Sequence, residues 1–186
     1  DRRSVIAQDN DVEEGAPVAI TVTAPKNFLL RSEPYGAPDI DIAPANVFSP
    51  WSADGVVHGV VGQAAGAALV RVSGTPALVQ HGLSDTTGVV FDVTVPGGAD
   101  NVHVNGSIPV LNEWDAVGLP LLPEGEDRFL GLIEAPRNQP VGYKYTRGSW
   151  ETVEQDGAGA VIPDRSLTAT GPTWRADFVQ TFATGN

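Results

Sequence analysis

Residues 89–96, VVFDVTVP, place Val89, Phe91, Val93 and Val95 on one side of an extended chain and Val90, Asp92 and Thr94 on the other, then stop at Pro96. An apolar period of two that ends at proline is the pattern of a short strand with one face on a core. The pattern recurs. Val18, Ile20 and Val22 alternate in APVAITVTA (16–24). Further short β-prone runs follow at 56–61, 67–73, 77–80, 102–104, 128–134, 141–147, 151–155, 166–170 and 174–182. Gly or Pro separates most of them, and turn signals return roughly every eight to twelve residues. The chain is therefore predicted to be all-β, an antiparallel, immunoglobulin-like β-sandwich. GQAAGAALV (62–70) has some helical character, but its two glycines disfavour a helix. Residues 33–55 hold four prolines and little periodicity, which predicts a long loop.

The stretch HGLSDTTG (81–88) is small, polar and turn-rich, and predicts a boundary. It separates a β-rich segment, 1–87, from a sandwich, 88–186. The opening DRRSVIAQDNDVEEG reads as a polar lead-in. VAITVTAP (18–25) and VVFDVTVP (89–96) echo one another. Two sandwiches in tandem would explain the echo, and so would chance in a chain rich in Val and Pro.

Composition narrows the function classes. The chain has 23 Asp and Glu against 11 Lys and Arg, a net charge of −12. The excess is spread over both parts, and a surface this acidic repels phosphate backbones and anionic lipid. Neither nucleic acid nor membrane is expected as a partner. No apolar run approaches the roughly 18 residues of a membrane-spanning helix. Cys and Met are absent, which removes disulfides and thiolate chemistry. A first residue other than Met leads us to expect a piece of a longer protein.

Enzymatic signatures are weak. His58, His81 and His103 are scattered, with no H-E-x-x-H spacing, and no G-x-S-x-G elbow occurs. Carboxylate pairs are plentiful in so acidic a chain, but a glycosidase needs two of them in a deep cleft. DNDVEEG (9–15) and DIDIAP (39–44) are loosely calcium-like without the twelve-residue loop grammar. No cofactor is expected, with Ca2+ as the weak alternative.

Four side chains stand out as binding candidates. Trp114 lies in a loop among Asn112, Glu113 and Asp115. A Trp held in polar surroundings is a flat apolar platform in water, suited to ligands with one apolar face and a rim of hydroxyls, such as sugars. Trp150 follows Gly148 and Ser149, and either faces out on a turn or caps the core. Glu151 beside it either accepts hydroxyl hydrogen bonds or is a solvated charge. Lys144 lies between Tyr143 and Tyr145, so it faces away from a core that holds both rings. Trp174, opening the last strand, is predicted to be core.

The ordered set VVFDVTVP, NVHVNGSIPVLNEWDAVGLPL, Arg128 to Glu134 with Ala135-Pro136, Val141-Gly142-Tyr143-Lys144-Tyr145, Pro163-Asp164-Arg165 with Ser166-Leu167-Thr168, and Trp174-Arg175 resembles the family 20 starch-binding modules and their relatives in family 48. The resemblance covers about residues 88–182 and not 1–87. It implies a non-catalytic module that anchors a secreted parent enzyme to starch or a related α-glucan. It also implies that Trp114 is one platform and Lys144 a hydroxyl donor. The family's second platform precedes the turn at Pro163, where this chain has Ala160, Val161 and Ile162; the nearest aromatic is Trp150. A second family site uses a Tyr where this chain has His103, and that site is expected to be absent. Two rivals remain: a structural module packed on a catalytic domain, and a binder of a different glycan.

Overall fold

The computed structural model describes residues 18–22, 27–29, 40–53, 56–62, 64–72 and 75–185. The polar lead-in and the calcium-like stretch 9–15 lie outside these residues. The described residues form strands in several sheets, with helix limited to two 3-10 segments, so the fold is all-β. By contacts the chain divides into two compact units. One ends at Gly88 and takes in Gly171–Thr173; the other comprises Val89–Thr170 and the residues from Trp174 onward.

The first unit contains β1 (Val18–Val22), β2 (Asn27–Leu29), β3 (Ile40–Ala43), β4 (Phe48–Ala53), β5 (Val56–Gly62), β6 (Gly66–Val72) and β7 (Thr75–His81). They form two sheets, in the orders β1-β7-β6-β3 and β2-β5-β4. The pairing of β1 with β7 is parallel, a departure from the antiparallel expectation. The loop predicted over 33–55 is corrected, because β3 and β4 lie inside it. The prolines misled: Pro44 follows β3, and Pro50 sits in β4 at the edge of its sheet, where a missing N–H need not break a ladder. The segment with helical character is strand β6. Buried Gln80 accepts bonds from the Thr87 hydroxyl and the Gly88 amide, both at 2.9 Å, so its burial leaves that oxygen satisfied.

The second unit is a sandwich. Its strands are β8 (Thr86–Thr94, shared with the first unit at its start), β9 (His103–Gly106), β10 (Leu119–Pro120), β11 (Leu122–Pro123), β12 (Arg128–Pro136), β13 (Pro140–Thr146), β14 (Glu154–Gln155), β15 (Arg165–Thr168), β16 (Thr173–Phe178) and β17 (Thr181–Phe182). One sheet runs β10-β9-β13-β15, the other β11-β12-β8-β16, and β14 pairs with β17. β1 is an edge strand while β8 is interior, so the two echoing strands hold different places in their sheets. The predicted strand at 151–155 is a 3-10 turn, Trp150–Thr152, followed by two-residue β14. The predicted last strand is interrupted between β16 and β17.

Alternation sets the core side of the sandwich, although Val90, on the opposite side of β8, is fully buried as well. Val89, Phe91, Val93 and Val95 are buried with Val104, Ile133, Val141, Tyr143 and Tyr145. The Phe91 ring lies 5.0 Å from Tyr143 and 6.4 Å from Tyr145, in tilted and edge-on arrangements. The phenol hydroxyls of both tyrosines donate to Asp177 Oδ2 at 2.8 Å. Arg175 Nε donates to Tyr143 Oη at 2.7 Å and to Asp177 Oδ1 at 3.1 Å. Arg165 donates to Asp177 Oδ1 at 3.1 Å and forks onto buried Glu154 at 2.8 and 3.0 Å. Glu154 Oε1 in turn accepts the Tyr145 amide. Three strands, β13, β15 and β16, are thus tied to one another by charge-assisted bonds. Burial, reinforced by the Asp177 carboxylate, pushes both phenols well above the ordinary tyrosine range.

On β8, Asp92 receives Arg128 at 2.7 and 2.8 Å and the Trp174 indole N–H at 2.7 Å. Trp174 is therefore half-buried and polar-anchored rather than core as expected. Burial raises the Asp92 carboxyl, but the bonds from Arg128 and Trp174 outweigh this and hold it below the usual value. A depressed folded value stabilises above the unfolded pKa of about 3.9 and is lost as pH falls through the folded value. Asp92→Asn is expected to lower stability by about 1–2 kcal/mol at neutral pH. Urea midpoints of the two proteins should converge in acid, and a gap that persists there would refute the assignment.

Candidate functional site

The outward face of the β9–β13 pair is the floor of the site. Tyr143 and Tyr145 point into the core, so Gly142, Lys144 and Thr146 point the other way. The antiparallel register sets Lys144 opposite Asn105 and Thr146 opposite His103. Five residues of two strands therefore share this face.

Two loops rise beside it. The first leaves β9 after Gly106, where a side chain would strike the Gly142 carbonyl and Leu111. Buried Leu111 anchors the loop in the core, within a 3-10 segment, Pro109–Trp114. Asn112, Glu113 and Trp114 then take positive φ values of 59°, 45° and 69°. Three consecutive left-handed residues cost roughly 1–2 kcal/mol each for ordinary side chains. Asn tolerates the region; Glu and Trp do so only because the surroundings hold them. Asn112, Glu113 and Asp115 face solvent, as their polarity predicts, while Trp114 is half-buried. The edge of its indole lies over β13, so that a Cβ at Gly142 would come 3.2 Å from the ring. A side chain at Gly142 would crowd the indole.

The second loop leaves β13 after Thr146 and carries Trp150 in the short 3-10 turn. Trp150 is 41% exposed, and its ring centroid lies 6.5 Å from that of Trp114, with planes inclined by 37°. Rings 36 positions apart in the chain are thus brought into contact. Glu151 is exposed next to it. Beyond the pair, Arg147 meets Asp100 at 3.0 Å.

Lys144 lies opposite the tyrosines, as predicted, but it does not project into solvent. Its side chain is buried, with the residue 7% exposed. Its ammonium donates to the Ile162 carbonyl at 2.6 Å and to Asp164 at 2.8 Å. Two of its three donors are committed to the segment before β15, leaving one for another acceptor. Val161, in the stretch where the family resemblance implies a second aromatic, is exposed.

Sequence reasoning missed the residues that bond to the backbone of both loops. Thr146 is buried, and its hydroxyl donates to the Ala116 carbonyl while accepting the Asn105 side-chain amide and the Gly148 amide, each at 3.1 Å. The His103 ring bonds through Nδ1 to the Val117 carbonyl. The available signal was period-two alternation: every second residue from Lys144 falls on this face.

No protein-family model matches the chain. Over 88 residues it is 40% identical to an alpha-amylase of Niallia circulans, a span of 45% of this chain and 7% of that protein. The chain therefore corresponds to a small part of that relative's length. Among solved structures, the glucoamylase of Hormoconis resinae matches at a TM-score of 0.42 and 16% identity, over 55% of this chain and 19% of its own. The gamma-CGTase of alkalophilic Bacillus clarkii matches at 0.42 and 13%, over 90% and 28%. The family 20 CBM of the maltotetraose-forming amylase from Pseudomonas saccharophila STB07 matches at 0.34 and 19%, over 50% of this chain and 100% of its own. Family 48 is not among these matches.

The site has no metal-binding set. Among the described residues no group of three or more His, Cys, Asp or Glu could hold an ion. What the arrangement offers is two indoles in contact, Trp150 exposed and Trp114 half-buried, with exposed Glu113, Asp115 and Glu151 as their chain neighbours. A planar ligand face can stack there while peripheral hydroxyls meet polar groups.

Proposed function

We propose that the second unit is a non-catalytic carbohydrate-binding module that holds a parent enzyme, an extracellular one, at starch or a related α-glucan. The observation that carries this reading is the tryptophan pair. Two indoles 6.5 Å apart and inclined by 37° suit two neighbouring sugar rings of a curved chain better than a flat ribbon. Exposed Glu151 supplies a polar partner beside the pair, while buried Lys144 braces the segment before β15 from below rather than meeting a ligand. The local identity to an alpha-amylase supports an α-glucan as the ligand and a starch-acting catalytic domain as the neighbour in the parent chain.

Stacking one sugar on one indole removes about 100 Å2 of apolar surface from water, worth roughly 2 kcal/mol. Trp114→Ala is therefore expected to weaken β-cyclodextrin binding by about thirtyfold. Trp150→Ala should have a similar effect. Titration followed by tryptophan fluorescence checks both. A folded wild-type protein that ignores millimolar β-cyclodextrin and soluble amylose would overturn the α-glucan reading and leave a different glycan, or a packing surface for the catalytic domain, as the role of the pair.

A further inference from the structure

Two indoles on separate loops make one platform only if something sets one loop against the other. We infer that the Thr146 hydroxyl, with His103 beside it, is the clasp that fixes the mutual geometry of Trp114 and Trp150. This deepens the binding reading and rests on it for its functional half.

The connections are specific. Thr146 Oγ1 donates to the carbonyl of Ala116, two residues beyond Trp114, and accepts the amide of Gly148, two residues before Trp150. One oxygen therefore joins both loops. It is itself held by the Asn105 amide, from the neighbouring strand. His103 repeats the arrangement one strand over. Its Nδ1 bonds to the Val117 carbonyl in the first loop. Its Nε2 would lie 3.6 Å from a Cβ on Gly148 in the second, so the ring packs under that residue. Gly148 has a φ of 97°, which a side chain would adopt only with strain. The loop is thus shaped to bring its amide down onto Thr146. The bonds of Thr146 and His103 go to the backbone of the two loops, so the clasp acts by position.

A buried hydroxyl with three partners is replaceable in shape by valine and in chemistry by serine. Thr146→Val leaves the Ala116 carbonyl and the Gly148 amide unpaired, and frees the loops from each other. The readout that needs no ligand is the far-ultraviolet circular dichroism couplet produced by two indoles in contact, which depends on their relative orientation. Trp114→Phe serves as the control that abolishes it. Thr146→Val is expected to lose most of the couplet and to bind β-cyclodextrin about tenfold more weakly. Thr146→Ser should keep both at the wild-type level. His103→Leu should weaken both to a smaller extent. A Thr146→Val protein with the wild-type couplet and affinity would overturn the inference. So would a Thr146→Ser protein that loses them, because the methyl and not the hydroxyl would then be responsible. If Thr146→Val does not fold, His103→Leu decides: an unchanged couplet refutes the clasp. Should the wild type not bind β-cyclodextrin, the couplet still tests the clasp, and the failure belongs to the proposed ligand alone.

Discussion

Replacing Asp177 with Ala is expected to cost the second unit about 3–5 kcal/mol. This carboxylate is buried and is the only common acceptor of Tyr143 and Tyr145 among the described bonds. It also faces two guanidinium groups, of Arg165 and Arg175, at 3.1 Å. Without it two phenol hydroxyls lose their acceptor inside the sandwich, and of the two guanidinium groups only Arg165 keeps a carboxylate partner, Glu154, among the described residues. Each stranded hydroxyl costs about 1–3 kcal/mol, and the unbalanced charge adds to that. Against a typical domain stability of about 5–15 kcal/mol the unit would be close to unfolding. Asp177→Asn keeps an acceptor oxygen and should fall between wild type and Ala. Urea denaturation followed by tryptophan fluorescence separates the three proteins. A loss below about 1 kcal/mol for Ala would show that the surrounding groups find other partners.

Alkali should unfold the same unit by the same residues. The folded state holds the protons of Tyr143 and Tyr145 far above the ordinary phenol value, first by burial and then through Asp177. The unfolded chain releases them near pH 10. Folded values raised in this way leave stability intact below pH 10 and erode it above, because the unfolded state then binds fewer protons. The slope is about 1.4 kcal/mol per pH unit for each tyrosine, or nearly 3 kcal/mol with both. Urea midpoints measured from pH 9 upward should fall steeply past pH 10. The phenolate absorbance of the two residues should appear together with unfolding and not before it. Tyr145→Phe should roughly halve the slope. Midpoints that stay level through this range would contradict the buried network.

Much of the second unit was legible in the chain. β8 announced itself because Val89, Phe91, Val93 and Val95 all face one core. Tyr143 and Tyr145 betrayed their burial by flanking Lys144. Local pattern failed wherever a distant residue decided the outcome. Lys144 reads as a surface donor until Asp164 and Ile162, some twenty positions on, are seen to cover it. Trp150 carries no local mark of its partner, since the meeting with Trp114 depends on the paths of two loops. Glu154 and Asp177 look like any acid in a chain with 23 of them. Their burial follows from Arg165 and Arg175 and from tyrosines across the sandwich. In the first unit, prolines at 44 and 50 hid two strands, because composition cannot tell an edge from a loop.

The cations of the second unit have a common fate. Arg128, Lys144, Arg147, Arg165 and Arg175 each face a carboxylate, and Arg137 donates to the Thr170 carbonyl. Positive charge is thus consumed within the fold, while the surplus acids face water. Seen from outside, one copy is an anion to the next. Copies gathered on a single polymer would keep apart by mutual repulsion over a Debye length, about 10 Å at 0.1 M salt. If the proposed binding to a polymer holds, added salt should let such molecules sit closer together along it.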